Sequence, residues 1–152
     1  MLRFVVRNKI LNWRYGRLLW RYCWRSWLTV AGRRWRTDGF VFFGRGLELE
    51  VSRRGAVRFG RFVWIGDGTK IRCHEGEVEI GRKTVMGQEC TISAYQRVRI
   101  GEQCVIADID WLVSDAKRAT QVATANWDLV VVDEAHHLEW TPETASPAYA
   151  FV

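Results

Sequence analysis

The stretch IGRKTV-MGQECT-I, residues 80–92, contains two consecutive six-residue units of the same pattern. Each six-residue unit consists of a large apolar residue, a glycine, two variable residues, a small residue and one more. The same unit recurs at Phe59-Gly60, at Ile65-Gly66 and at Ile100-Gly101. Because the units stay in phase over about 48 residues, they indicate a repeat architecture.

Each position of the unit has a physical reason in a coiled, mainly β chain. We expect the large first residue to point inward and stack on its equivalents in neighbouring coils. We expect the glycine to supply a backbone conformation that a Cβ atom would disfavour. Gly60, Gly81 and Gly101 recur after 21 and 20 residues, so a coil holds three units plus a short insertion. The small fifth-position residues, expected to face inward at tight corners, are Val63, Thr69, Thr84, Cys90 and Cys104.

The units, together with DGFVFFG at residues 38–44, resemble hexapeptide-repeat acyltransferases, in particular those of actinobacteria. The resemblance covers about residues 1–108. It implies a short left-handed parallel β-helix, an exception to the right-handed crossover rule. It also implies a homotrimer with active sites between adjacent β-helices, which transfers an acyl group from acyl-coenzyme A to a hydroxyl or amine. Acyl-coenzyme A is then the donor substrate, and no covalently bound cofactor is expected.

The resemblance also implies a histidine as general base, a role that suits imidazole near neutral pH. In such relatives this histidine follows closely after the last coil seen here, but the present sequence has no histidine between His74 and His136. We therefore expect a truncated and impaired enzyme. His74, at a corner insertion beside Glu75, is the candidate catalytic residue. The alternative for His74 is an exposed corner residue with no catalytic role.

Charge divides the 152 residues into three segments. Ten basic residues precede the first acidic residue, Asp38, whereas residues 109–152 hold two basic and seven acidic residues. All glycines lie at or before Gly101, and both prolines lie after it. We therefore predict a basic helical segment at 1–37, the repeat region at 38–108, and a separate helix-strand segment at 109–152.

The basic segment predicts an amphipathic helix within residues 9–30. At about 100° per residue, its tryptophans fall within roughly 60° of one another, with arginines beside them. One interpretation is a helix that caps the next domain, with tryptophan in its core. A second is a surface for an anionic membrane or a partner, and a nucleic-acid partner is disfavoured because no binding motif accompanies the helix. The candidate surface residues are Trp13, Arg14, Arg17, Trp20, Arg21, Trp24, Arg25 and Trp27.

The last segment predicts one helix over residues 114–125, capped by Ser114, and then a buried parallel strand at residues 129–132. The strand leads into Asp133-Glu134-Ala135-His136, the D-E-A-H form of a motif in which carboxylates hold Mg²⁺ and orient water. This segment resembles the ATPase core of bacterial RNA-polymerase-associated Swi/Snf-type proteins. The resemblance assigns Asp133, Glu134 and His136 to a nucleotide and metal motif. We expect it to be inactive, because the phosphate-binding loop needs glycines and none follows Gly101.

Composition excludes several classes. No apolar run approaches the roughly 18 residues of a membrane-spanning helix, and arginines interrupt every candidate signal sequence. We therefore expect a cytoplasmic protein, with peripheral membrane attachment as an option. The four cysteines have no metal-ligand spacing, so reduced thiols and no metal site are expected. The alternatives to an acyltransferase are a non-catalytic trimeric or membrane-surface interaction protein and a fragment of an ATP-dependent helicase-like protein.

Overall fold

The computed structural model describes residues 13–30, 34–133, 141, 144, 146 and 149. The chain forms two compact units, Met1–Ile106 and Ala107–Val152. The first unit holds helix α1 (Trp13–Val30) and eleven short strands, and the second holds helices α2 (Ile109–Val113) and α3 (Ala116–Ala123).

The strands of the first unit form three parallel sheets that wind around a common core. The first sheet contains β1 (Trp35–Thr37), β4 (Ala56–Phe59), β7 (Glu77–Ile80) and β10 (Arg97–Ile100). The second contains β2 (Phe42–Phe43), β5 (Trp64–Ile65), β8 (Val85–Met86) and β11 (Val105–Ile106). The third contains β3 (Glu48–Val51), β6 (Lys70–Cys73) and β9 (Thr91–Ala94). Consecutive strands in the chain therefore belong to different sheets, which is the topology of a parallel β-helix. The predicted fold class is confirmed, and β1 begins ahead of Asp38.

The registers show how the repeat builds the core. Phe43 pairs with Ile65 and Ile65 with Met86, and all three side chains are buried. Phe59 pairs with Ile80 in the neighbouring sheet, again with both side chains buried. The first position of each unit therefore faces inward and stacks, as predicted. The stacks reach the last coil with decreasing burial, since Ile106 is 38% exposed.

The fifth position also follows the prediction in the earlier coils. Val63, Thr69 and Thr84 are fully buried, whereas Cys90 and Cys104 are only partly buried. The Thr84 hydroxyl donates a hydrogen bond to the Gly101 carbonyl oxygen over 2.7 Å. A buried hydroxyl at this corner is therefore satisfied by the backbone of the next coil.

The explanation predicted for the glycines is wrong. Gly60, Gly66 and Gly81 do not have positive φ angles; the left-handed residue lies two positions later, as at Lys83, with φ 57°. What excludes a side chain is the next coil. A Cβ atom on Gly66 would lie 2.1 Å from the Gly87 carbonyl oxygen, and one on Gly81 would lie 2.5 Å from that of Gly101. Glycine is required because the coils approach closely.

Salt bridges between successive coils line the outer surface of the β-helix. Arg97 pairs with Glu77 over 2.9 Å, and Arg99 with Glu79 over 2.9 Å, along the register of β7 and β10. Opposite charges at directly paired positions favour the observed register over a shifted one. Each pair is exposed, so its main contribution is to specificity of pairing.

The second unit departs from the sequence prediction at two places. Residues 114–125 do not form one helix: Ser114 ends α2, and the Asp115 side chain accepts hydrogen bonds from the amides that begin α3. An aspartate is as strong an N-cap as serine, and here it takes the role that we assigned to Ser114. The predicted strand at residues 129–132 is absent, and Val131 is 78% exposed. A buried parallel strand needs neighbouring strands, and none is present among the described residues of this unit.

Candidate functional site

His74 lies at the corner between β6 and β7, where the sequence inserts extra residues into the repeat. Its ring stacks on the ring of Tyr95, one coil further on, with 4.6 Å between centroids and 17° between planes. The Ser52 hydroxyl, one coil earlier, donates a hydrogen bond to the His74 carbonyl oxygen. The contact with the earlier coil holds the backbone of this corner, and the contact with the later coil holds the half-buried imidazole.

The charged neighbour of His74 is engaged elsewhere. The Glu75 carboxylate pairs with the Arg54 guanidinium over 3.2 Å. Within the described part of the chain, no hydrogen bond reaches either imidazole nitrogen of His74. Stacking on Tyr95 therefore orients the ring.

A separate polar groove of about 390 Å³ runs along the first sheet and its corner. The Arg58 side chain pairs with Asp38 over 3.0 Å, and Arg82 pairs with Glu102. The hydrogen bond and charge of Asp38 raise the pKa of Arg58 above its ordinary value. The groove is lined by Asp38, Arg58, Gly60, Arg61, Glu79, Ile80, Gly81, Arg82 and Glu102.

This groove is not predicted by the motifs of the sequence, and His74 does not line it. The available signal was the alternation of charged and apolar residues in β4 and β7, which places Arg58 and Glu79 on the outer face. That alternation is common to all exposed β surfaces, so it does not single out a binding site. Arg61 forms no ion pair within the residues that the structure describes, and it leaves a cationic group at the groove.

Helix α1 presents its tryptophans outward. Trp13, Trp20 and Trp24 are exposed, whereas Leu18 is buried and Tyr22 packs against the core. The interpretation that places tryptophan in the core of a capping helix is therefore wrong for these three. Of the remaining candidates, Arg17 is exposed and Arg21 is half-buried, while the side chains of Arg14, Arg25 and Trp27 lie outside the described residues.

The D-E-A-H motif lies only partly in the described region. Asp133 is exposed and follows residues 129–132, which do not form the expected strand. Glu134 and His136 lie outside the described residues. No group of histidine, cysteine or acidic side chains suited to a metal ion occurs among the residues whose positions are described.

The four cysteines are free thiols, and the burial that their apolar character would favour is complete only for Cys73. Cys23 is exposed and Cys73 is buried. Burial raises the pKa of the Cys90 thiol above its ordinary value. A raised pKa reduces the thiolate fraction at neutral pH, so Cys90 is a poor nucleophile in this setting.

A β-helix built from glycine-containing hexads defines the class of the first unit as a hexapeptide-repeat protein. The chain is 40% identical over 112 residues to "Probable acetyltransferase Rv3034c" of Mycobacterium tuberculosis, a match that covers 70% of this chain and 35% of that protein.

A second set of relatives corresponds to a shorter segment. The chain is 57% identical over 51 residues to "RNA polymerase-associated protein RapA" of Actinobacillus pleuropneumoniae serotype 3, and 48% identical over 50 residues to that of Pseudomonas fluorescens. Each match covers about a third of this chain and 5% of RapA. No known family profile matches the chain, and no solved structure does. The predicted resemblance to a hexapeptide-repeat acyltransferase and to a RapA-type segment is confirmed.

No described helix is long and apolar enough to cross a membrane.

Proposed function

We propose that the β-helical unit is an acyltransferase that moves an acyl group from acyl-coenzyme A to a hydroxyl or amine acceptor. The proposal rests on the combination of a β-helix built from hexads with 40% identity to a probable acetyltransferase over 70% of the chain. The chain spans about a third of that relative, so its activity here remains part of the proposal.

In the proposed reaction, His74 is the general base. The acceptor oxygen or nitrogen attacks the thioester carbonyl carbon while the imidazole takes the acceptor's proton. The carbon–sulfur bond then breaks, the acyl group stays on the acceptor, and the coenzyme A sulfur leaves as a thiolate that is protonated. The half-buried ring and its open nitrogens support this role, and stacking on Tyr95 would hold the ring in place.

A homotrimer is part of the proposal. His74 lies at the corner where β6 leads into β7, whereas the polar groove lies at the opposite end of β7. Since one chain does not bring the two together, a site that used both would need a second copy. Size-exclusion chromatography with light scattering would measure the assembly, and a strictly monomeric active protein would contradict this part.

Release of free thiol from acetyl-coenzyme A tests the reaction. The full chain is assayed with a panel of sugar alcohols and amines, beside His74→Ala and the matched control His137→Ala. We expect thiol release in the wild type and the control, and a loss of about 100-fold or more in His74→Ala, the range for a removed general base. Equal rates in the wild type and His74→Ala would contradict the assignment of His74.

The second candidate function concerns the RapA-like segment, which 57% identity over 51 residues favours as a fragment of a helicase-like ATPase. We propose that it does not hydrolyse ATP in this chain. Asp133 is exposed, the strand that would support it is absent, and no glycine follows Gly101 to form a phosphate loop. Titration with Mg·ATP is expected to give no saturable signal. Binding that is lost in Asp133→Asn would overturn this proposal.

A further inference from the structure

Helix α1 has two sides with different surroundings. On one side, Leu18 is 5% exposed, and the Tyr22 hydroxyl donates a hydrogen bond to the Gly39 carbonyl oxygen over 3.1 Å. The Tyr22 ring also packs on Phe40, with 4.6 Å between centroids. At about 100° per residue, Trp20 lies on the other side of the helix from Tyr22. The helix is therefore anchored to the β-helix by one side and presents its tryptophans on the other.

The tryptophan side of helix α1 carries three exposed indole rings. Trp13 is 78% exposed, Trp20 is 68% exposed and Trp24 is 53% exposed. The Trp20 and Trp24 rings stack with 6.3 Å between centroids and 22° between planes. Contiguous apolar patches of this kind mark interaction sites on proteins that are otherwise soluble.

Charge identifies the partner as anionic. Arg17 is exposed beside the tryptophans, and Arg21 is half-buried on the same flank. Within the described residues, the Arg21 Nε atom has no hydrogen-bond partner although it is buried. No acidic residue occurs before Asp38, whereas ten basic residues do. Nothing in this part of the sequence neutralises the arginines, so they complement a negatively charged surface.

The shape of the surface favours lipid over nucleic acid. Indole rings that are apolar but carry an N–H group fit the boundary between acyl chains and headgroups. Bases would need free ring faces to stack on, yet Trp20 and Trp24 already cover one face of each other. The cationic groups lie along a convex helix flank, which suits a flat membrane surface better than a strand-binding groove.

We propose that helix α1 binds the surface of anionic membranes, with Trp13, Trp20 and Trp24 in the interface and Arg17 and Arg21 on the headgroups. The helix lies parallel to the membrane and holds the β-helical unit at the lipid surface. If the proposed acyl transfer takes place, an acceptor at that surface would be within reach of the unit. Membrane binding does not depend on the proposed acyl transfer, and a catalytically inactive protein would still bind.

Vesicle co-sedimentation of the full chain tests the proposal. Vesicles of phosphatidylcholine with one third phosphatidylglycerol are compared with pure phosphatidylcholine, and a labelled single-stranded oligonucleotide serves as the competing partner. We expect binding to the anionic vesicles only. The double variant Trp20→Ala/Trp24→Ala should bind at least about tenfold more weakly, from the apolar area removed. Arg17→Gln should bind roughly fivefold more weakly, the usual contribution of one basic residue at an anionic surface.

Matched controls separate the helix surface from a general loss of tryptophan or charge. Trp127→Ala removes a partly exposed tryptophan outside the helix, and Arg36→Gln removes an exposed arginine from β1. Both should bind vesicles like the wild type, and circular dichroism should show every variant folded. No binding of the folded wild type to anionic vesicles would overturn the proposal. So would unchanged binding of the tryptophan double variant, or binding to the oligonucleotide alone.

Discussion

Replacing Gly66 by alanine should destabilise the β-helix far more than replacing Gly101. Both glycines occupy the second position of a hexad, and neither has a positive φ angle. They differ in which atoms lie next to an added Cβ atom. A Cβ atom added at Gly66 would lie 2.1 Å from the Gly87 carbonyl oxygen, whereas one added at Gly101 would lie 3.4 Å from the Cys104 sulfur.

These distances set the expected loss in the free energy of unfolding. A Cβ atom is rarely found within 3.0 Å of another heavy atom, so in Gly66→Ala the neighbouring coil must move by almost an ångström. Overpacking of this kind costs about 1–3 kcal/mol. The movement also weakens the backbone hydrogen bond from the Gly66 amide to the Met86 carbonyl oxygen, 3.0 Å in length, which contributes about 1 kcal/mol. We expect a total of about 2–4 kcal/mol for Gly66→Ala, from the sum of these two effects.

For Gly101→Ala we expect a change between zero and about 1 kcal/mol of stabilisation, because alanine restricts the unfolded chain. Thermal unfolding followed by circular dichroism distinguishes the two variants. A loss of about 2–4 kcal/mol corresponds to a fall in Tm of roughly 10–20 °C in a domain of this size. A Tm of Gly66→Ala within a few degrees of the wild type would refute the close approach of the coils. An equal loss in both variants would refute it as well, because a Cβ atom at Gly101 meets no neighbouring coil.

Three further predictions concern single side chains. Thr84→Val should destabilise the protein by about 1–2 kcal/mol in chemical denaturation, because the Gly101 carbonyl oxygen loses its hydroxyl donor and the Cys104 amide loses its acceptor. Thr69→Val should cost less, since its hydroxyl lies 3.4 Å from its acceptor. Lys83→Gly should leave stability unchanged or raise it by up to about 1 kcal/mol, because glycine adopts the φ of 57° found there without strain, and a clear loss would count against this reasoning. The pKa of Asp115 is lowered, mainly by the hydrogen bond from the Arg118 amide. The stabilisation of α3 is therefore present above the ordinary carboxyl pKa and is lost as the pH falls through the lower, folded-state pKa. Amide NMR shifts of the first turn of α3 should report this loss, and Asp115→Asn should abolish its pH dependence.

The β-helix could be predicted because its repeat is local. The residue pattern of each hexad predicts which of its positions face inward and which face outward. Phe59, Ile65 and Ile80 could therefore be assigned to the core from spacing alone. The reason for the glycines could not be predicted in the same way. It depends on the distance between coils about twenty residues apart, and no single hexad contains that information. Positive φ angles, which are uncommon outside glycine, occur at residues such as Lys83, and nothing in the sequence around Lys83 predicts them.

The orientation of helix α1 on the β-helix could not be predicted from the sequence either. Periodicity places the tryptophans on one side of α1, but it does not decide whether that side is buried against the protein or exposed to solvent. The buried Leu18 and the hydrogen bond of Tyr22 decide which side meets the β-helix. The predicted strand at residues 129–132 failed for the opposite reason. Its apolar residues predict a buried strand, but a strand forms only where neighbouring strands pair with its backbone hydrogen-bonding groups.

Calorimetric titration of the purified full chain with coenzyme A tests whether the β-helical unit binds the proposed acyl donor. We expect saturable binding by the wild type and equal affinity in His74→Ala, because His74 is proposed to act on the proton of the acceptor. The absence of saturable binding by folded protein would contradict the proposed acyl transfer from this donor.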